Sequence, residues 1–253
     1  MKIIEPLIEV ENFDGIKIMK NIERACRTCY RSEGLITEDS YKKLLKNCIN
    51  RGHESVLEHE KITVRMICDI GVYKDLTRHR FGSFSIESTR YCNYGKDKFD
   101  NEIKFIKPIF YNPTPSQHAG QEMSEETGEY IKDETQRLQE TYDSLKTELW
   151  EECMRHIENV YIRMSKFAKP DELRMILPHS TAAEVTMTAN IREWRHILDL
   201  RTKQMTHPAI RQLLIPLLLY FKQEMPELFD KIEYDINFPK DKYAKLVIGN
   251  EQD

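Results

Sequence analysis

The sequence lacks most features that mark secreted, membrane-spanning or dinucleotide-fold proteins. Only nine of its 253 residues are glycine, and it contains no Gly-rich fingerprint of the Rossmann type. The longest apolar run, Leu213–Phe221, is interrupted by Pro216 and is too short to span a bilayer. Residues 1–6 include an acid and a proline and have no signal-type apolar core. We therefore expect a cytoplasmic protein with no membrane partner.

Net charge and cysteine content exclude further classes of protein and of binding site. A formal net charge of −4 argues against broad binding to nucleic acid or anionic membranes, so the basic residues are informative only where they cluster. The six cysteines include one Cys26-x-x-Cys29 pair but no second pair at zinc-site spacing. In a reduced compartment we expect packing thiols, with neither disulfides nor a metal site.

The densest basic cluster runs from Arg78 to Tyr91. Three arginines, one histidine, three serines and one threonine fall within these fourteen residues. Arginine presents a planar fork that suits phosphate and planar heterocycles. Because Phe81 and Phe84 interleave with the cations, the segment favours a pocket for an anionic small molecule over a solvated basic face.

A second basic cluster lies on a predicted helix. Asn190 followed by Glu193 is a capping-box pattern that predicts the start of this helix. On ideal geometry Arg192 and His196 share a face, whereas Arg201 points nearly opposite. The helix would then serve two pockets or one composite pocket. The alternative is a surface stripe neutralised by acidic neighbours.

Hydrophobic periodicity predicts an α+β fold in a single domain spanning 1–253. Strands are expected at 1–10, 61–70, 101–110 and 181–189. Helices are expected at 15–30, from Thr37 to Gly52, at 71–79, 123–168, 172–177 and 191–201, and from Pro208 onward. The region 120–170 is expected to form a helical subdomain, after a loop that contains Pro113, Pro115 and Gly120. The segment 240–253 is expected to be a polar, poorly ordered tail.

Three segments together resemble the signature of the flavin-dependent thymidylate synthases, the ThyX family. They are Arg78-His79-Arg80 with Ser88 and Arg90-Tyr91; Gly52-His53-x-Ser55-x-x-Glu58-His59; and Asn190-x-Arg192 with His196 and Arg201, preceded by Arg174-x-x-Leu177-Pro178. The chain departs from the usual family pattern at Asp75, Ile86, Glu87, Met205 and Ala209.

The resemblance implies an enzyme, a methyltransferase that converts dUMP to dTMP. Methylenetetrahydrofolate would donate the carbon, reduced FAD the hydride, and NADPH or NADH the electrons that reduce the flavin. It also implies a ThyX-like fold, with a mainly antiparallel sheet, packed helices and a long helical segment. The active sites would lie at the subunit interfaces of a homotetramer.

The resemblance also implies roles for individual residues. Arg201 is expected to be catalytic, stabilising negative charge on the uracil ring. Residues expected to bind FAD are Ser55, Arg78, His79, Arg80, Ile86 through its main chain, Asn190, Arg192 and His196. Residues expected to bind dUMP are Asp75, Arg78, Glu87, Ser88, Thr89, Arg90, Arg174 and Arg201. A phosphate contact is preferred for Ser88 over a nucleophilic role, because no His-Ser-Asp arrangement is evident.

Three alternatives remain open. The Arg78–Tyr91 segment could be a basic, aromatic patch for nucleic acid. The chain could be a helical scaffold built on residues 123–168. A metal site could use His53, Glu58 and His59, although no further ligand stands at a diagnostic spacing.

Overall fold

The computed structural model describes residues 1–109 and 125–249, with side chains described for 1–109 and 141–249. The strands are β1 (Lys2–Ile4), β2 (Leu7–Val10), β3 (Lys61–Asp69), β4 (Ser83–Ile86), β5 (Lys104–Ile106), β6 (Ala182–Asn190) and β7 (Lys245–Ile248). The helices are α1 (Gly15–Thr28), α2 (Ser40–Asn50), α3 (Ile70–Leu76), α4 (Glu125–Met164), α5 (Pro170–Leu173), α6 (Ile191–Arg201), α7 (Pro208–Glu224) and α8 (Pro226–Phe229). Single 3-10 turns span Glu33–Leu35, Ser55–His59, Asp97–Phe99, Arg174–Ile176 and Lys240–Lys242.

The main sheet has five strands in the order β4-β6-β3-β2-β7. All neighbours are antiparallel except β2 and β7, which run parallel. The central pair β3 and β6 is in register from Lys61 opposite Asn190 to Asp69 opposite Ala182. Alternate residues of β3 are buried, as period-2 alternation requires for a strand with one covered face. The predicted α+β class with a mostly antiparallel sheet is confirmed.

The register of β4 on β6 determines where the basic cluster lies. Ser83 pairs with Thr188, and the strands are antiparallel, so the chain just before Ser83 continues toward the end of β6. Helix α6 begins at that end, directly after Asn190. The Arg78–Phe81 segment therefore lies beside the first turn of α6, although more than 100 residues separate the two in sequence.

Helix α6 is anchored by a buried aromatic core. Trp194 is fully buried, and its indole Nε1 donates to the carbonyl of Ile62 on β3 at 3.0 Å. Its ring meets Phe221 of α7 edge to face, with 5.8 Å between the ring centroids. The ring of Phe221 in turn packs against that of Phe229, with 5.2 Å between the ring centroids. This packing fixes α6 against the sheet while its polar residues remain free to line a site.

The chain divides into two compact units. One comprises residues 4–88 and 178–253 and contains the five-stranded sheet; the other comprises residues 1–3 and 89–177. In the second unit β1 pairs with β5, and helix α4 packs its described part around a core that includes Phe105 and Tyr161. The Met1 ammonium is held there by Glu102 at 2.9 Å and Glu158 at 2.8 Å. The long predicted helix is confirmed as α4, and it runs without a break from Glu125 to Met164.

Several local expectations were wrong. Residues 1–10 form two strands in different sheets, because Pro6 has no N–H for a ladder and separates β1 from β2. The basic cluster Arg78–Tyr91, where no strand was expected, contains strand β4. The expected polar tail contains β7, which covers the edge of β2. The short helix after α4 begins at Pro170 rather than Glu172 and ends in the Arg174–Ile176 turn.

The expected loop with Pro113, Pro115 and Gly120 lies outside the described residues. No helix in the described part of the chain is both long and apolar enough to cross a membrane.

Candidate functional site

A cleft of about 860 Å³ opens between the α3–β4 segment and helix α6. Its lining mixes cations, carboxylates and a few apolar side chains. The lining residues are Glu54, Glu58, Arg78, His79, Arg80, Phe81, Asn190, Arg192, Glu193, Arg195, His196, Asp199, Lys231 and Ile232. Its volume lies within the range of about 300–1,000 Å³ that is usual for small-molecule sites.

His79 is the buried centre of the site. Only 5% of its surface is exposed, whereas its neighbours Arg78 and Arg80 are exposed. Its Nε2 accepts a hydrogen bond of 3.1 Å from Nε of Arg201. Its ring meets that of His196 edge to face, with 5.7 Å between centroids. The α3–β4 segment and α6 therefore converge on one imidazole.

The position of Arg201 differs from the ideal-helix expectation. Its guanidinium contacts His79 and donates from Nη2 to the main-chain carbonyl of Asp75 at 3.3 Å. Because helical side chains lean toward the helix N-terminus, a long arginine in the last turn can turn back to the same imidazole that His196 contacts. Of the two arrangements expected for this helix, the composite one is found.

The surroundings of His79 keep its ring neutral. Burial, and then the positive charge of Arg201 and the neighbouring His196, lower the pKa of His79 to about 4, while Asp75 opposes the shift. The imidazole is therefore uncharged at pH 7. Its Nε2 accepts from an arginine, which can only donate, so the ring proton is on Nδ1.

Two arginines of α6 are paired with acids from the Ser55–His59 turn and the residue before it. Arg192 Nη1 lies 2.6 Å from Glu58, and its Nε lies 3.8 Å from Glu54. Arg195 Nη2 lies 3.4 Å from Glu54, and its Nη1 donates to the carbonyl of Leu228. Burial lowers the pKa of Arg195 from its ordinary value, which a guanidinium tolerates without losing its charge.

Six of the eight residues predicted to bind flavin line the cleft; they are Arg78, His79, Arg80, Asn190, Arg192 and His196. Asn190 also caps α6, because its side-chain oxygen accepts from the Glu193 N–H at 2.8 Å. Ser55 and Ile86 do not line the cleft. Ser55 is exposed in its 3-10 turn, and Ile86 is half-buried at the end of β4.

The residues predicted to bind dUMP are distributed over both compact units. In the first unit Arg78 lines the cleft, whereas Arg201 and Asp75 are not among the lining residues. Arg201 reaches the site through its hydrogen bond to His79, and the Asp75 carbonyl accepts from Arg201. Glu87 and Ser88 follow β4 in the same unit. The other unit contains Thr89, Arg90 and Arg174. Arg90 and Arg174 are exposed, and the Arg90 guanidinium lies 5.7 Å from the ring centroid of Tyr91.

Several lining residues were missed from the sequence, namely Glu54, Glu193, Arg195, Asp199, Lys231 and Ile232. Spacing on α6 could have indicated Arg195 and Asp199, which stand three and seven residues after Arg192. Lys231 and Ile232 follow α8, and no local pattern links them to the site. The suggested metal site is not supported, because the described residues contain no group of three or more His, Cys, Asp or Glu side chains placed to hold an ion.

Comparison with known proteins decides the family. A sequence model of the family described as "Thymidylate synthase complementing protein" matches residues 16–227. The chain belongs to that family. The family resemblance inferred from the basic motifs is therefore confirmed.

Two curated relatives of this chain are named as flavin-dependent thymidylate synthases. It is 28% identical over 220 residues to a probable flavin-dependent thymidylate synthase of Mycobacterium phage L5, covering 83% of this chain and 79% of the relative. It is 27% identical over 209 residues to the flavin-dependent thymidylate synthase of Thermosipho africanus, covering 82% of each chain.

Solved structures support the fold of the family member. One is Thymidylate Synthase X from Helicobacter pylori with FAD and dUMP, at a TM-score of 0.60 and 18% identity, covering 90% of this chain and 98% of that one. Another is the UMP/dUMP methylase PolB from Streptomyces cacaoi with 5-Br dUMP, at a TM-score of 0.57 and 20% identity, covering 91% and 96%.

Proposed function

We propose that this chain is a flavin-dependent thymidylate synthase that methylates dUMP to dTMP. The observation that carries the proposal is the convergence of Arg78–Phe81 and helix α6 on one cleft, with Arg201 bonded to His79. Two distant basic segments of a member of the thymidylate synthase complementing family thereby form one site. The relatives' names supply the reaction, and the cleft supplies groups that suit it.

The cleft residues fit FAD. Arg78, Arg80, Arg192 and Lys231 are exposed cations at the lining, which suits a pyrophosphate. Phe81 offers an exposed aromatic face, 82% accessible, on which a planar ring can stack. Without a Gly-rich fingerprint, such dispersed side chains are the means left to bind a dinucleotide. When bound, the reduced flavin would supply the hydride.

Arg201 is the proposed catalytic residue. C5 of uracil is a poor nucleophile until the ring becomes electron-rich, and the negative charge that then develops is shared with the pyrimidine carbonyl and ring nitrogen. A guanidinium directed at those two atoms stabilises that charge and so favours the activated ring. Two hydrogen bonds already orient the Arg201 fork, and Nη1 makes no hydrogen bond or ion pair among the described residues. A group oriented before the reaction pays little reorganisation cost in the transition state.

The remaining residue roles are those that the family resemblance implies. Ser88, Thr89 and Arg90, with Arg174, would hold the dUMP phosphate, and charge-assisted bonds of this kind suit a dianion. Glu87 and Asp75 would contact the nucleotide. Ser55 and the main chain of Ile86 would contact the flavin.

The assembly and the co-substrates are also part of the proposal. Methylenetetrahydrofolate would donate the carbon and NADPH would reduce the flavin, in a cytoplasmic homotetramer. Large apolar side chains that remain exposed, such as Met205 at 97% accessibility, support a surface that neighbouring subunits cover.

The proposal is tested with the purified chain, dUMP, methylenetetrahydrofolate and NADPH. We expect a yellow protein whose flavin absorbance bleaches on reduction, and formation of dTMP. Arg201→Ala should lower kcat by about 100- to 1,000-fold, the usual loss for an oriented charge-stabilising donor, while most flavin stays bound. Arg65→Ala is the matched control, because Arg65 pairs with Glu9 and Glu184 on the sheet away from the lining residues.

A colourless protein that forms no dTMP would contradict the proposed function. Affinity for oligonucleotides that falls steeply with salt would then favour the nucleic-acid alternative. Turnover by Arg201→Ala equal to that of Arg65→Ala would remove the catalytic role of Arg201 without removing the function.

A further inference from the structure

Glu193 is a buried carboxylate to which the proposed reaction gives no role. It is 7% exposed on the first turn of α6 and lines the cleft. Only half of the expected capping box is formed: its main-chain N–H bonds to Asn190, while its carboxylate extends to within 3.5 Å of His79 Nδ1. Burying a carboxylate is costly, so this placement needs a compensating partner.

The proton positions on His79 give Glu193 such a partner. Nε2 of the ring accepts from the Arg201 guanidinium, so the proton of the neutral ring must be on Nδ1. Nδ1 is the nitrogen that faces the carboxylate. An acceptor at that position favours the tautomer that leaves Nε2 free to receive the Arg201 N–H, as a neighbouring carboxylate does for other imidazoles.

We propose that Glu193 is a positioning residue for Arg201, acting through the tautomer of His79. The order of contacts is Glu193 carboxylate, His79 Nδ1–H, His79 Nε2 and Arg201 Nε–H. The Asp75 carbonyl accepts a second hydrogen bond from the guanidinium, donated by Nη2. The inference rests on the proposed function, in which this guanidinium stabilises charge on the pyrimidine.

The other groups that face His79 do not supply this selection. Arg201 can only donate, and it already occupies Nε2. His196 approaches with the edge or face of its ring, at 5.7 Å between centroids. Asp75 accepts from Arg201 through its main-chain carbonyl, and its carboxylate acts on His79 by charge, with no hydrogen bond to the ring among the described contacts. Glu193 is thus the acceptor that the structure places at Nδ1.

A purely structural role makes a different prediction. An acid in the first turn of a helix interacts favourably with the helix dipole and so stabilises the helix. Removing it for that reason would lower stability but would alter neither the His79 tautomer nor kcat selectively.

The test uses Glu193→Gln in the full-length holoenzyme. Glutamine keeps the shape but removes the charge, and its amide can donate to Nδ1 and so permit the other tautomer. We expect kcat to fall about 10- to 100-fold, less than the loss of a direct charge-stabilising donor. The KM for dUMP and the bound FAD per chain should remain within about twofold of wild type, because no direct contact to either is removed.

Two further variants sharpen the comparison. Glu184→Gln is the matched control, since Glu184 is an exposed carboxylate on β6 that pairs with Arg65 at 2.6 Å. Its kcat should equal that of wild type. Glu193→Asp retains a charged acceptor on a shorter side chain, so it should recover part of the activity that glutamine loses.

Nitrogen NMR of ring-labelled histidine gives a readout that does not depend on turnover. The His79 signals are assigned by their loss in His79→Gln. Wild type and Glu184→Gln should show protonated Nδ1 and unprotonated Nε2, whereas Glu193→Gln should populate the Nε2-protonated form. The Arg201 Nε–H signal should be sharp in wild type and broadened by exchange with solvent in Glu193→Gln.

Several results would overturn the inference. They are kcat of Glu193→Gln equal to that of Glu184→Gln, unchanged His79 and Arg201 signals, or a kcat loss that parallels loss of FAD and of thermal stability. Absence of dTMP formation by wild type would instead reject the proposed function. In that case the two NMR signals still decide whether Glu193 orders Arg201 through His79.

Discussion

At the residue scale, His79 couples the charge state of the cleft to the stability of the fold. Its pKa in the folded chain is about 4, against an ordinary value of 6.5 in the unfolded chain. Between these values the unfolded chain binds more protons, so the free energy of unfolding rises with pH. From pH 4.5 to pH 7 this group alone contributes a rise of about 2 to 3 kcal/mol.

His79→Gln should remove that rise. Urea unfolding at pH 4.5 and pH 7 gives the pH-dependent change in stability for each protein, and the variant should show a change about 2 to 3 kcal/mol smaller than wild type. Comparing the changes cancels the carboxylates that titrate equally in both. Equal changes in the two proteins would mean that His79 is not held neutral.

The residues that carry the family signature were also the most predictable part of the site. Arg78, His79 and Arg80 could be chosen from sequence because a fixed order of residues carries the family signature. The partners of these residues could not. Glu193 was assigned to a local cap, whereas its carboxylate faces an imidazole more than 100 residues away. Only the tertiary fold determines whether a glutamate takes a local partner or one distant in sequence.

At the scale of elements, α6 is the part whose packing positions the cleft. Trp194 fills the interface between α6, β3 and α7, and its indole N–H satisfies the Ile62 carbonyl. Trp194→Ala should therefore lower the free energy of unfolding by about 3–5 kcal/mol, through a large cavity and a lost hydrogen bond. Urea denaturation monitored by far-UV circular dichroism measures this change.

Leu200→Ala provides the comparison on the same helix. Leu200 is 48% exposed, so its truncation should change stability by no more than about 0.5 kcal/mol. A loss as large as that of Trp194→Ala would show that the solvent side of α6 is buried, and the packing described for the helix would be wrong.

Long, periodic elements were predictable, and short paired ones were not. The alternation of β3 and the helical spacing of α1 identify them without any partner. Strands β4 and β7 have four residues each, and their conformation depends on pairing with β6 and β2. A four-residue segment contains too few alternations to distinguish a strand from a loop, so only the sheet identifies it.

At the scale of the whole molecule, the proposed tetramer would explain why large apolar side chains are exposed, and its formation can be measured. Isolated exposed side chains are ordinary, but a methionine that is 97% accessible just after helix α6 gains from a covering partner. Wild type should elute at four times the chain mass in size-exclusion chromatography with light scattering. Met205→Asp should shift the distribution to smaller species, because a buried unpaired charge opposes association.

Gln204→Asp separates the loss of apolar contact from the mere addition of charge. Gln204 is an exposed polar neighbour of Met205, so the same new carboxylate there removes no apolar surface. It should leave the tetramer intact, and flavin content measured on each peak should follow the tetramer if neighbouring subunits complete the site. A wild-type monomer that retains FAD would reject the shared site and would leave the cleft between Arg78–Phe81 and α6 as a complete flavin site in one chain.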